Sequence, residues 1–337
     1  MTNNFKISGE TGLKSSRNST VELLRFIFMF LIVLLHVYVH GTGLDYEQIY
    51  NWGEDWNTAF HLSLFSLAKI GVTGFIFISG FYGIHSNKHK VIDLVLITLF
   101  YSIILNSISD NKIGILNFFH PFDIWWFISA YLFLMFIAPL IEIGIKNISE
   151  KSFRNIVVAI ALYVYFARAL SAENAHNVCF LLTVYLIARY FRLVLVPRIN
   201  NHKQKVLLRF IGISSILLLI IIPVLASEIH LQKNVFNLFI QNNNPLLLVA
   251  SGWLVYESNN NKFYNKKINR FMTSTLAIYI ITDFPNIRSI FTKNILPEVL
   301  NGVGFLYIFF ICLVCLIIDQ VRIKIFFYGY KFFKAIF

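Results

Sequence analysis

The chain has 337 residues, of which 57% are hydrophobic and 14% charged, with a mean hydropathy of +0.66 and a formal net charge of +12. That balance excludes a soluble domain of this size, because repeated apolar runs of about 20 residues are what a bilayer-spanning helix requires. The expected fold class is all-α: a polytopic integral membrane helix bundle, one body rather than two soluble domains.

Residues 1–20 (MTNNFKISGETGLKSSRNST) are polar and weakly basic. A full-length apolar run follows with no small-residue cleavage site, which predicts a cytoplasmic tail and a retained first helix rather than a signal peptide. Apolar runs then fall at 21–40, 60–84, 91–109, 123–145, 154–170, 177–196, 207–226, 236–256, 271–292 and 299–320, predicting about ten transmembrane helices. The pattern is weakest at 154–170, which holds Arg168, and at 236–256, which is interrupted by NNNP. A membrane domain over 21–320 and a basic cytoplasmic tail over 321–337 complete the expected organisation.

Basic residues mark cytoplasmic loops. The first connection, GTGLDYEQIYNWGEDWN, has Asp45, Glu47, Glu54 and Asp55 and no Lys or Arg. On alternate connections lie Lys88, Lys90, Lys146, Lys151, Arg154, Arg198, Lys203, Lys205, Lys262, Lys266, Lys267 and Arg270. The alternation predicts both termini in the cytosol and a multi-pass protein of the cell membrane. It also removes nucleic acid as a partner, since the excess positive charge follows topology. Cys179, Cys312 and Cys315 sit inside apolar runs and are expected as small core residues. The CxxC of Cys312 and Cys315 has no second pair, so neither zinc nor redox chemistry is expected of it.

The first helix, VELLRFIFMFLIVLLHVYVH, has polar interruptions at Arg25 and His36. At about 100° per residue, eleven residues return to nearly the same face, so the two align about 16 Å apart along the axis. Glu22 and His40 fall on the same stripe. Arg25 alone is explained as a juxtamembrane charge that sets orientation. His36 lies deeper, where an ionisable group costs about 2–3 kcal/mol or more and usually faces a cavity or a partner. Two readings of His36 stand open here: a neutral, hydrogen-bonded core histidine, or a functional group. The i, i+4 pair in HVYVH also has metal-ligand spacing, but the Glu of an HExxH motif is missing, and no metal is expected.

Three further stretches join this helix: GVTGFIFISGFYG at 71–83, IWWFISAYLFLMFIAP at 124–139 and STLAIYIITDFPNIR at 274–288. Together with ELLR…H, in this order, they resemble the membrane acyltransferase-3 family, which includes bacterial O-acetyltransferases of cell-surface glycans. The resemblance spans about residues 20–290. It implies acyl transfer from acetyl-CoA, a donor substrate rather than a permanently bound cofactor, to a hydroxyl of a cell-surface or lipid-linked polysaccharide.

The family's essential first-helix His and Arg match His36 and Arg25, and Glu22 matches an acidic residue common three positions before that Arg. Ser79 and Gly80 match its Ser-Gly, and Trp126 and Tyr131 its fourth-helix aromatics. Two departures stand out. Where the family often has Arg-x-x-Arg before the third helix, this chain reads HSNKHKVID, leaving Lys88 and Lys90 as donor-binding candidates. Where many relatives have His-Glu or His-Asp in the ninth helix, this chain has Thr282-Asp283.

The chemistry fits these residue types. Neutral imidazole accepts a proton near neutral pH, so His36 is the candidate general base. Guanidinium pairs with phosphate in a fixed fork, so Arg25 suits the donor. Ser79, Trp126, Tyr131 and Asp283 are the expected acceptor or pocket residues, with packing beside Gly80 the plainer role for Ser79. Trp125 is expected in the interfacial aromatic belt. Membrane lipids are the surrounding partner, and a homo-oligomer stays open. The rival functional reading is a transporter of a lipid-linked glycan or another anionic solute, since polar stripes on membrane helices serve that purpose too. A second rival is a non-catalytic subunit of a glycan-synthesis complex.

Overall fold

Apolar segments in lipid must satisfy their backbone polar groups internally, and this chain does so with helices. The computed structural model describes residues 17–42, 56–85, 87–108, 124–170, 176–229, 241–242 and 244–336, and among these there is no strand. The acidic first connection, with Asp45, Glu47, Glu54 and Asp55, and the first sixteen residues lie outside the described residues.

Helix α1 (Ser19–Gly41) starts where the Asn18 side chain accepts the Thr20 N–H. Helices α2 (Trp56–Ala68) and α3 (Ile70–Tyr82) meet at Lys69 and together make the second span. Next come α4 (Lys88–Ser107), α5 (Trp126–Asn147), α6 (Glu150–Leu170) and α7 (His176–Tyr190). A π turn over Phe191–Leu195 and a 3-10 turn over Val196–Arg198 prolong α7. Helix α8 (His202–Glu228) begins at a reciprocal Asn201–Gln204 capping box. The chain continues with α9 (Pro245–Asn260), α10 (Lys266–Phe271), a 3-10 turn over Met272–Ser274, α11 (Thr275–Thr282), α12 (Pro285–Leu300) and α13 (Gly304–Ile336).

Seven of the helices formed by the described residues are long and apolar enough to cross a membrane. The other three expected spans take different forms. Helix α6 carries Lys151, Arg154 and Arg168 among its apolar residues. Helix α9 has 16 residues, about 24 Å of rise, less than a typical hydrocarbon core. The run at 271–292, expected as one helix, is broken: α11 ends at Thr282 and α12 begins at Pro285. Proline removes a donor and is tolerated at the first turn of a helix, so Pro285 starts a helix here rather than continuing one. Residues 321–336, expected as a tail, continue α13 as helix.

Helix α3 lies inside the bundle, packed against α1, α7 and α9. Small residues allow the approach. A Cβ on Gly71 would stand 2.5 Å from the Phe28 carbonyl oxygen of α1. A Cβ on Gly80 would stand 2.7 Å from both the Ala188 Cβ and the Tyr185 carbonyl oxygen of α7. Helix α1 is held on its other sides by α11, α12 and α13. Phe136, Leu140, Phe210 and Leu306 stay exposed on the bundle exterior, as lipid-facing positions do. Cys312 and Cys315 are buried, whereas Cys179, expected in the core, faces outward.

One end of the bundle gathers the basic loops. The Ser19 N–H donates to the Phe263 carbonyl at 3.0 Å, the Tyr82 hydroxyl to Asn259 at 3.0 Å and the Gln320 amide to the Arg270 carbonyl at 3.2 Å. Near that end of α13, fully buried Asp319 accepts from the Tyr101 hydroxyl of α4 at 2.9 Å and pairs with Arg322 at 2.6 Å. A buried carboxylate persists only when paired and hydrogen-bonded, so this cluster fastens α13 to α4.

Gly80→Ala is expected to push α3 off α7 and cost about 1–3 kcal/mol, because the contact on one side is backbone. A lowered thermal unfolding midpoint in detergent checks it; an unchanged midpoint contradicts the close-packing role.

Candidate active site

Helical spacing puts Glu22, Arg25, Met29, Ile32 and His36 on one face of α1, at steps of three and four. The structure fills that face from the basic end inward. Glu22, 2% exposed, accepts from the Arg17 guanidinium at 2.7 and 2.9 Å and also pairs with Arg25. It is the fixed anchor of two guanidiniums, which holds Arg25 half-buried rather than extended along the lipid. Arg25 and Arg192, together with Glu22, lie close enough to Tyr82 to act on its hydroxyl electrostatically. Arg192 itself lies 4.9 Å from the centre of the Phe81 ring. The prolonged end of α7 thus brings a second guanidinium to the Arg25 region. Neighbouring Arg189 is already engaged by Glu142 at 2.7 Å.

Lys88 and Lys90 stand at another helix start. Both are exposed at the start of α4, and the Lys90 ammonium donates to the His85 carbonyl at 2.9 Å. Arg192 was missed in the sequence because its distance along the chain from the first helix gave no periodic signal. Its ARYFR setting, read with Arg189 as Arg-x-x-Arg, was the available clue.

One turn inward on α3, the Ser79 hydroxyl lies 3.2 Å from the Tyr131 hydroxyl of α5. The Tyr131 ring stacks on Phe127 at 5.8 Å, and Phe127 in turn meets Tyr279 of α11 edge-on at 5.7 Å. A cavity of about 20 Å³, room for about one water, follows. Met29, Ile32 and His36 of α1, Phe75 of α3, Trp126 of α5 and Tyr279 are among its walls. Trp126, Ser79 and Tyr131 are therefore brought onto the line from Arg25 to His36.

His36 ends that line. Its side chain is 14% exposed, and its Nδ1 lies 3.5 Å from Oδ1 of Asp283, itself 3% exposed. The same oxygen is 3.8 Å from Nε2 of His40 and 3.4 Å from the Arg288 guanidinium of α12. Two imidazoles and a guanidinium thus converge on one carboxylate. Asp283 can stand there because the helix is interrupted at that residue, in the turn between α11 and α12.

The break is propped from α5. Trp125, expected in the interfacial belt, is fully buried instead; its indole N–H donates to the Ile280 carbonyl at 3.1 Å and its ring packs on Phe284 at 6.1 Å. A carbonyl in the last turn of a short helix has no intrahelical donor and needs such a partner. The Trp-Trp pair divides at the start of α5: Trp125 is the non-helical cap residue and packs under the break, and Trp126, the first helical residue, lines the cavity.

The ligating atoms of His36, His40 and Asp283 lie within 4.8 Å of one another, a spread a divalent cation can bridge. The Arg288 guanidinium on the same Asp283 oxygen opposes a second positive charge there.

A family model described as an acyltransferase domain, Acyl_transf_3, matches residues 18–319. No curated protein and no solved structure matches the chain.

Trp125→Phe keeps an aromatic ring but removes the donor to Ile280 and part of the buried indole, leaving a buried carbonyl unpaired. It is expected to cost about 1–3 kcal/mol of stability and to loosen the turn that carries Asp283. Thermal unfolding in detergent measures the first effect. Faster amide exchange at residues 280–284 than in wild type reports the second.

Proposed function

The chain belongs to the acyltransferase-3 family of membrane acyltransferases, and from that premise we propose that it moves an acetyl group from acetyl-CoA to a hydroxyl of an extracytoplasmic glycan. The observation that carries the reading is the placement of His36. It sits inside the bundle against the Asp283 carboxylate, on the same helix face as Arg25, with a cavity beside it.

The basic end of the bundle faces the cytosol by the positive-inside rule, so the donor enters beside Arg25. Arg25 and Arg192 take the phosphates of CoA, with Lys88 and Lys90 on the same membrane side. The pantetheine arm then runs along the α1 face past Ser79 and Tyr131, covering the roughly 16 Å of helix rise to His36. The cavity is smaller than an acetyl thioester, so Met29, Phe75 and Trp126 shift as the arm enters.

His36 is the general base. With Nδ1 turned to Asp283, Nε2 is left to accept the proton of the acceptor hydroxyl. The acceptor oxygen attacks the thioester carbonyl carbon, the C–S bond breaks as the tetrahedral intermediate collapses, and the imidazolium returns the proton to the departing thiolate. The products are an O-acetyl ester and CoA thiol. Glu22 contributes by fixing Arg25 rather than by touching the reacting atoms. The acceptor is a cell-surface or lipid-linked polysaccharide reached from the opposite side of the membrane.

His36→Ala is expected to lower kcat by about 10²–10⁴-fold, the usual worth of a general base, at unchanged expression and thermal midpoint. Arg25→Ala is expected chiefly to raise KM for acetyl-CoA, by about tenfold for a lost phosphate contact. Purified protein in liposomes, given labelled acetyl-CoA and candidate glycans, supplies both measurements. Solute flux without acyl transfer would instead identify a transporter.

A further inference from the structure

Thioester attack puts negative charge on the carbonyl oxygen, and an enzyme lowers that barrier with a donor held in place beforehand in a water-excluded site. His36 is engaged as base in the proposed reaction, so another donor has to meet this oxygen. Of the cavity walls, Met29, Ile32, Val72, Phe75 and Phe127 offer no polar hydrogen. Trp126 and Tyr279 do, and of the two it is the Tyr279 group that is buried and left without a partner. Its side chain is 3% exposed, its ring centre lies 5.9 Å from that of His36, and it faces the same cavity.

The state of its hydroxyl is the telling feature. Tyr hydroxyls buried in a protein nearly always find a partner, because an unmade hydrogen bond costs about 1–3 kcal/mol. The Tyr279 hydroxyl is buried and has no hydrogen-bond partner. The Asp283 carboxylate and the Phe127 backbone lie close enough to act on it, but neither meets the distance and angle of a formed hydrogen bond. The ring, by contrast, is tightly set, wedged between Phe127 and His36 and carried on the short helix α11 just before the break. A rigidly held donor, kept dry and left unsatisfied beside the proposed base, has the form of an oxyanion-binding group.

We propose that the Tyr279 hydroxyl is the oxyanion donor of the acyl transfer. As the acceptor oxygen bonds to the carbonyl carbon, the C=O electron pair moves onto oxygen, and the Tyr279 O–H donates to it. When the C–S bond breaks, the pair returns to re-form C=O, and the phenol keeps its proton throughout. Tyr279 is thereby a catalytic residue distinct from Asp283, which acts through His36. The inference rests on the acyl-transfer reading above.

Tyr279→Phe tests it, because the ring contacts with Phe127 and His36 survive. The probe is acetyl-CoA with a panel of soluble oligosaccharides, and the readout is free CoA thiol, which counts transfer to water as well as to sugar. Expected are a fall in kcat of about 10²–10³-fold, a KM for acetyl-CoA within about twofold of wild type, and an unchanged thermal midpoint. Fluorotyrosine at 279, which acidifies the phenol while nearly keeping its size, is expected to change kcat in step with phenol acidity, a response that packing does not produce. If wild type releases thiol and Tyr279→Phe matches its kcat, the oxyanion role is overturned while the acyltransferase reading stands. Loss of kcat that comes only with a lower midpoint overturns it as well. If wild type releases no thiol with any acceptor, acetyl transfer and the Tyr279 role fall together.

Discussion

A carboxylate buried at an interrupted helix is the constraint around which this molecule is arranged. Asp283 is nearly inaccessible, and an unpaired charge there would be prohibitively costly in a membrane bundle. It persists because His36, His40 and Arg288 converge on it from two other helices. The interruption between α11 and α12 lets the carboxylate leave the helix surface. Trp125 then supplies the donor that the frayed end of α11 needs. Removing the Trp125 indole leaves the Ile280 carbonyl unpaired, whereas Arg288 keeps the carboxylate paired when an imidazole is lost.

From that anchor the first helix gains a direction. His36 lies at the far end of the line and Arg25 at the basic end. Between them the face of α1 is apolar, Met29 and Ile32, with the Ser79–Tyr131 hydroxyl pair alongside. In the proposed reaction such a line takes an elongated amphipathic donor, anionic at one end and uncharged along its arm. Glu22 serves it indirectly, by restraining Arg25 against snorkelling into the headgroups.

The same closeness of helices that builds the site also makes it dry. Gly71 and Gly80 admit close backbone contact between α3 and both α1 and α7. Electrostatic interactions are stronger in such surroundings, which is what a carbonyl acquiring negative charge requires. Tyr279 and His36 share this environment, one with a proton to give in a hydrogen bond, the other with a lone pair to accept one.

By itself the sequence determined the all-helical membrane class, the position of most spans and the alignment of Arg25 with His36. Each is local: apolar run length, the alternation of Lys and Arg between loops, and the angular step of a helix. Only the tertiary structure decided which residues from separate helices meet. It brought Arg192 as well as Arg25 within electrostatic reach of Tyr82, buried Trp125 while turning Trp126 into the cavity, and set Tyr279 against His36. The physical reason is that the rotation of one helix against another depends on packing summed over the whole bundle. No window along a single chain segment contains that sum.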